Sequence, residues 1–139
     1  MMTPTTSTDA LVEALATRLR RMDLVGWQRV ATWAKQSELS FEDLRLLLAL
    51  ALKIDDGPAT VGELGDLAGF PLDVAYPATH RLRRRGYVRE ERRRYALSEQ
   101  GRELVARLDA ARRDGIQAYV DTLDREERGR LLNAFANPR

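Results

Sequence analysis

The stretch LDVAYPATHRLRRRGYVREERRRYALSEQG, residues 72–101, decides the fold. Its first half sets Ala75, Ala78, Thr79 and Leu82 at helical spacing on one side, and Gly86 supplies a stop after Arg85. Tyr87 and Val88, then Tyr95, Ala96 and Leu97, read as two short strands around a charged tip, Arg89 to Arg94. This is a β-hairpin without the Asn-Gly or Asp-Gly pair that tight turns favour. Ser98 then caps a further helix. Just upstream, Thr60 and Glu63 form a capping box for a short helix with Val61, Leu64, Leu67 and Ala68, which Gly69 closes. Two short helices joined by a tight glycine-containing turn are the signature of a helix-turn-helix, whose second helix enters the DNA major groove.

Working outward, Ser40 and Asp43 offer an N-cap, and Phe41, Leu44, Leu47, Leu48 and Ala51 keep a helical period to about Lys53. Leu46, Leu50 and Leu52 make that helix apolar nearly all round, so it is expected to be central and buried. Asp55, Asp56, Gly57 and Pro58 mark a turn. Towards the start, Leu11, Leu15, Leu19, Met22, Val30 and Trp33 trace one apolar face of a long helix from about Ala10 to Lys35, with Gly26 a candidate bend. Towards the end, Leu104, Leu108, Ala111, Tyr119 and Leu123 trace another. Asp124 with Glu127 opens a last helix through Leu131, Leu132 and Phe135. The expected fold is mainly α with a small β-hairpin.

At 139 residues the length suits about one domain, and 44% hydrophobic with 32% charged residues is an ordinary globular composition. The absence of cysteine removes disulfides, thiolate metal sites and cysteine nucleophiles together. His80 is the single histidine, so no histidine metal site or triad can be completed around it. Without a glycine-rich phosphate loop or metal-ligand spacing, no catalytic residue, metal site or cofactor is expected. Paired carboxylates such as Glu126 with Glu127 and Asp55 with Asp56 sit at a cap and in a turn, where they need no catalytic explanation. Met1 to Asp9 show no apolar signal region, and the longest apolar run, Leu46 to Leu52, is seven residues. A cytoplasmic location without membrane contact is expected.

The formal net charge is only +2, but its distribution is uneven. Of the 23 basic residues 21 are arginine, and eight of them, Arg81, Arg83, Arg84, Arg85, Arg89, Arg92, Arg93 and Arg94, fall within fifteen residues. Against Glu90 and Glu91 that segment carries +6, which leaves 15 basic against 19 acidic groups, or −4, for the rest. Such a stretch is either a solvated charged face or a surface for a polyanion, where guanidinium groups fork onto phosphate oxygens and release counterions. Its position on the second helix and the hairpin favours the polyanion.

With these elements in place, the chain resembles the MarR (multiple antibiotic resistance regulator) family of bacterial winged-helix transcription factors. The resemblance rests on SFEDLRLLLAL (40–50), TVGELGDLAGF (60–70), HRLRRRGYVREE (80–91) and LSEQGRELV (97–105). It implies a single domain over 1–139, with a winged helix-turn-helix at 40–97 flanked by dimerisation helices at 10–36 and 99–136. It further implies a homodimer and, often, an effector pocket. Terminal helices with broad apolar faces independently call for a partner surface. The sequence departs from the family pattern in three places. Pro77 sits mid-helix, where proline costs about 3 kcal/mol unless the helix starts late or kinks, so a short recognition helix is expected. Asp73 puts a carboxylate near that helix's start, where it is read as an N-cap. The wing is short and lacks the family's Asp-x-Arg tip.

On the second helix, Tyr76, Pro77, His80, Arg83 and Arg84 lie opposite the apolar side, with Arg81 at the edge. His80 and Arg84 are expected nearest to base edges, Tyr76 beside them, and Arg81, Arg83, Arg89, Arg92 and Arg93 on phosphates. Arg85 serves a helix C-terminus or DNA equally well. Trp27, Trp33 and Tyr119 are either ordinary packing or the lining of a small-molecule effector pocket. The expected function is a transcriptional repressor that binds a pseudo-palindromic operator in double-stranded DNA as a homodimer. The alternative is an interaction or ligand-sensing module on the same fold that does not read DNA.

Overall fold

The computed structural model describes the backbone of residues 4–136 and the side chains of residues 8–135. In chain order it contains α1 (Pro4–Gln36), α2 (Phe41–Leu52), α3 (Val61–Ala68), α4 (Leu72–Arg84), β1 (Val88–Glu91), β2 (Arg94–Leu97), α5 (Glu99–Val120) and α6 (Arg125–Ala136). Two compact units are formed, one from residues 32–110 and one from residues up to 31 together with those from 111 onward. The mainly helical fold with one small hairpin agrees with the sequence reading. Among the described residues no helix is long and apolar enough to cross a membrane.

In the central unit α2 is the hub. Leu46 and Leu47 are wholly buried on it, as are Leu64 of α3 and Leu82 of α4. Of its apolar residues only Phe41 and Leu52, at its two ends, turn to solvent. The expected N-cap at Ser40 closes as a full capping box, and the expected capping box at Thr60 also closes. The Ser40 hydroxyl accepts from the Asp43 N–H while the Asp43 carboxylate accepts from the Ser40 N–H, and Thr60 and Glu63 repeat the pattern. Such caps contribute about 1 kcal/mol each. The start of α5 is set by Leu97-Ser98-x-x-Gly101. The Ser98 hydroxyl donates to the Gly86 carbonyl and accepts from the Gly101 N–H. A β-carbon on Gly101 would lie 1.9 Å from the Tyr87 carbonyl oxygen, so only glycine lets the helix seat there.

In the terminal unit α1 crosses α5 at a pair of glycines. A β-carbon on Gly115 would stand 2.6 Å from the Gly26 carbonyl oxygen, and one on Gly26 would stand 2.9 Å from the Gly115 oxygen. Gly26, expected as a bend, therefore serves close helix packing. Tyr119 is buried nearby with its hydroxyl accepting from Arg18, and Leu123 is buried beyond the end of α5. The Asp124–Glu127 capping box opens α6 as expected. Of the predicted apolar face of α1, Val30 is buried and Met22 and Trp33 are partly so, but the N-terminal part does not enter a core. Leu11 is 59% exposed, Leu15 45% and Leu19 54%, and Phe135 on α6 is 75% exposed.

Candidate nucleic-acid interface

Helix α4 is anchored by Ala75, Ala78, Thr79 and Leu82, all buried, with the Thr79 hydroxyl donating to the Ala75 carbonyl. At 100° per residue the opposite, outward stripe is Asp73, Pro77, His80 and Arg84, with Tyr76 and Arg83 on one flank and Arg81 on the other. Pro77 does not shorten the helix, contrary to the sequence expectation. The helix runs unbroken from Leu72 to Arg84 because the proline stands on the solvent side. The N–H it lacks would have bonded the carbonyl of Asp73, itself exposed, so water can satisfy that carbonyl at modest cost. Nor does Asp73 cap the helix. The N-cap is Pro71, which offers no side-chain bond, and Asp73 lies inside the first turn.

The strands pair antiparallel with Val88 opposite Leu97 and Glu91 opposite Arg94. Each strand therefore extends further toward the tip than the sequence suggests, and only Arg92 and Arg93 remain as the loop. Both have positive φ, 53° and 65°. That is the mark of the tight turn for which Asn-Gly is favoured, and each arginine held there costs about 1–2 kcal/mol. The hairpin is tied to the rest of the unit by an isolated bridge between Ala59 and Tyr95.

The eight arginines divide by partner. Arg81 donates from Nη2 to Asp43 Oδ1 at 3.2 Å, and Asp43 is 5% exposed. Arg83 donates to Glu90 Oε1 at 3.1 Å, the same oxygen that accepts from the Tyr95 hydroxyl at 3.0 Å. Burial, then the bond to Glu90, raises the Tyr95 hydroxyl above its ordinary pKa. Arg85 forks onto the carbonyls of Glu38 and Ser37 at 2.7 and 2.8 Å, in the turn that follows α1 rather than at the end of its own helix, and lies over the Tyr87 ring. Arg94 reaches the Pro58 carbonyl and Glu63. The Glu63 carboxyl is held below its ordinary value first by its bonds to Thr60 and then by Lys53 and Arg94. Arg89 makes only a loose pair with Glu91 at 3.9 Å. Among the described residues Arg84, Arg92 and Arg93 are exposed and make no ion pair or hydrogen bond.

Of the expected contact residues, then, Arg84, Arg92 and Arg93 are free, Arg89 is nearly so, and Arg81 and Arg83 are braced to carboxylates. Tyr76 and His80 lie together, ring centroids 4.7 Å apart. The bracing roles of Asp43, Glu63 and Glu90 escaped the sequence reading, which counted Glu90 only against the arginine charge. The register of the hairpin, which sets Glu90 opposite Tyr95, was the signal available. Trp27 is half-exposed and Tyr119 buried in the terminal unit, whereas Trp33 belongs to the central unit and is partly buried.

No family model matches the chain, and no curated protein matches it. Solved structures do. A MarR family protein from Bacillus stearothermophilus superposes with a TM-score of 0.68 at 20% identity, over 92% of each chain. A MarR family protein from Mycobacterium tuberculosis, solved in complex with DNA, gives 0.67 at 20% identity over 88% of this chain and 98% of that one. A transcriptional regulator from Thermotoga maritima gives 0.65 at 18%, over 89% and 90%. Helix order, hairpin and near-complete coverage coincide, and the chain has the winged-helix fold of the MarR family transcriptional regulators.

Proposed function

We propose that the protein is a cytoplasmic MarR family repressor that binds a pseudo-palindromic DNA operator as a homodimer and has no catalytic activity. The observation that carries this reading is the set of unpaired, exposed guanidinium groups at the end of α4 and the tip of the wing, Arg84, Arg92 and Arg93. Phosphates are the natural partners of Arg92 and Arg93, since guanidinium forks match phosphate oxygens, while Arg84 on the outward stripe of α4 turns the same fork to a guanine edge. Arg81, braced by Asp43, fixes α4 to α2, Arg83, braced by Glu90, fixes it to the wing, and both present their remaining N–H groups to the backbone. Tyr76 and His80 stand where base edges would pass. Exposed Leu11, Leu15, Leu19, Leu132 and Phe135 in the terminal unit support a second copy of the chain as partner, each half-exposed leucine gaining about 0.7–1.5 kcal/mol when covered. Half-sites would then lie about one helical turn apart. An effector that binds near Trp27 or Trp33 would register as a change in tryptophan emission.

The test is duplex binding across a salt series. The reading expects sequence preference and a steep linear fall of log affinity with log salt. Binding that is flat in salt and indifferent to sequence would leave the alternative, an interaction module, in its place.

A further inference from the structure

Helix α4 carries a chemical polarity along its outward stripe. At one end stands Arg84, a pure donor, and at the other Asp73, a pure acceptor. Eleven residues make about three helical turns, so the two side chains leave the helix in nearly the same direction, separated by about 16 Å of rise. Asp73 is exposed, and among the described residues its carboxylate makes no hydrogen bond or ion pair. It does no capping, because Pro71 holds that position without a side-chain bond. Asp73 also lines an open groove of about 370 Å³ with Ser40, Glu42, Val74, Pro77 and Arg81. The Glu42 carboxylate there is likewise unpartnered, and Arg81 is held by Asp43. Two free carboxylates turn phosphate away from this end of the helix, so whatever meets it must donate.

In the major groove the edge that only donates is cytosine, through its N4 amine. Adenine pairs its N6 donor with the N7 acceptor, which a carboxylate opposes, and guanine offers acceptors alone. We propose that Asp73 is a specificity-determining residue that accepts a hydrogen bond from a cytosine amine in each half-site. That cytosine lies about five base-pair steps, at 3.4 Å each, from the guanine read by Arg84. The inference rests on the duplex-binding reading given above.

Selection from random duplexes, run with the intact protein and with Asp73→Ala, Asp73→Asn and Arg84→Ala, tests it, with thermal melting of each variant to show that the fold is kept. The wild-type site should hold a cytosine preferred by about 5- to 150-fold, the range that a good base contact gives. Asp73→Ala should equalise the bases at that position alone. Asp73→Asn should move the preference to adenine, whose N6 and N7 an amide matches. Arg84→Ala should relax a guanine four to six pairs away. An enriched site whose preferences survive Asp73→Ala unchanged overturns the assignment while leaving DNA binding intact. Failure of the wild type to enrich any duplex overturns both.

Discussion

Replacing the wing tip by the pair its backbone favours, Arg92→Asn with Arg93→Gly, should make the protein more stable and a weaker DNA binder. The two arginines stand at φ 53° and 65°, and relief of about 1–2 kcal/mol at each is partly offset by the roughly 0.5–1 kcal/mol of unfolded-chain entropy that glycine adds. A net gain of about 1–3.5 kcal/mol follows, which for a chain of this length raises the melting temperature by roughly 3–12 °C. On DNA the same change removes two phosphate contacts per subunit, so the slope of log affinity against log salt should flatten by about 1.8 per subunit. Between 50 and 200 mM salt the wild type should then lose about tenfold more affinity per subunit than the variant. Calorimetry and fluorescence anisotropy on a labelled duplex read the two effects separately. A variant no more stable than wild type refutes the turn argument. An unchanged salt slope refutes the assignment of the wing tip to phosphate.

Gly115→Ala places a β-carbon against the Gly26 backbone, and chemical denaturation should show a loss of about 1–3 kcal/mol. Asp43→Ala removes both the α2 capping box and the anchor of Arg81, and should lower stability by about 2 kcal/mol in the same assay. Glu63 is held below its ordinary pKa of 4.5, so its contribution is present above that value and fades as pH falls through the lower folded value. Glu63→Gln should flatten the acid limb of the stability profile accordingly. Tyr95 is shifted the opposite way, and in an absorbance titration it should ionise above the ordinary value of 10.0, an upward shift that Glu90→Gln reduces. Leu15→Asp with Phe135→Asp should leave a monomer by analytical ultracentrifugation, because both side chains lie exposed in the terminal unit.

Much of the fold was legible because it is written in local signals. The boxes at Ser40 and Thr60, the stop at Gly86 and the period of Ala75, Ala78 and Leu82 each act over one or two turns. Pro77 misled for the reason that its cost depends on which side of the helix it stands, a fact fixed only when Ala75 and Leu82 go inward. The strands ran longer than their apolar residues because backbone pairing carried Arg89, Glu90 and Glu91 with it, leaving arginine in a turn that local preference disfavours. The arginine patch was visible as a sum of charge, but not the division of labour within it. Arg85 finds its carbonyls 47 and 48 residues away and Arg81 its carboxylate 38 residues away, distances over which no spacing rule reaches.

The claim on which the account turns is that the outward face of α4 and the wing together meet a DNA duplex. Amide hydrogen exchange, measured with and without a selected operator duplex, tests this most directly. The account predicts slowed exchange concentrated in residues 72–97 with little change over the middle of α5. Protection confined to the terminal helices, or none when the duplex is bound, would contradict it.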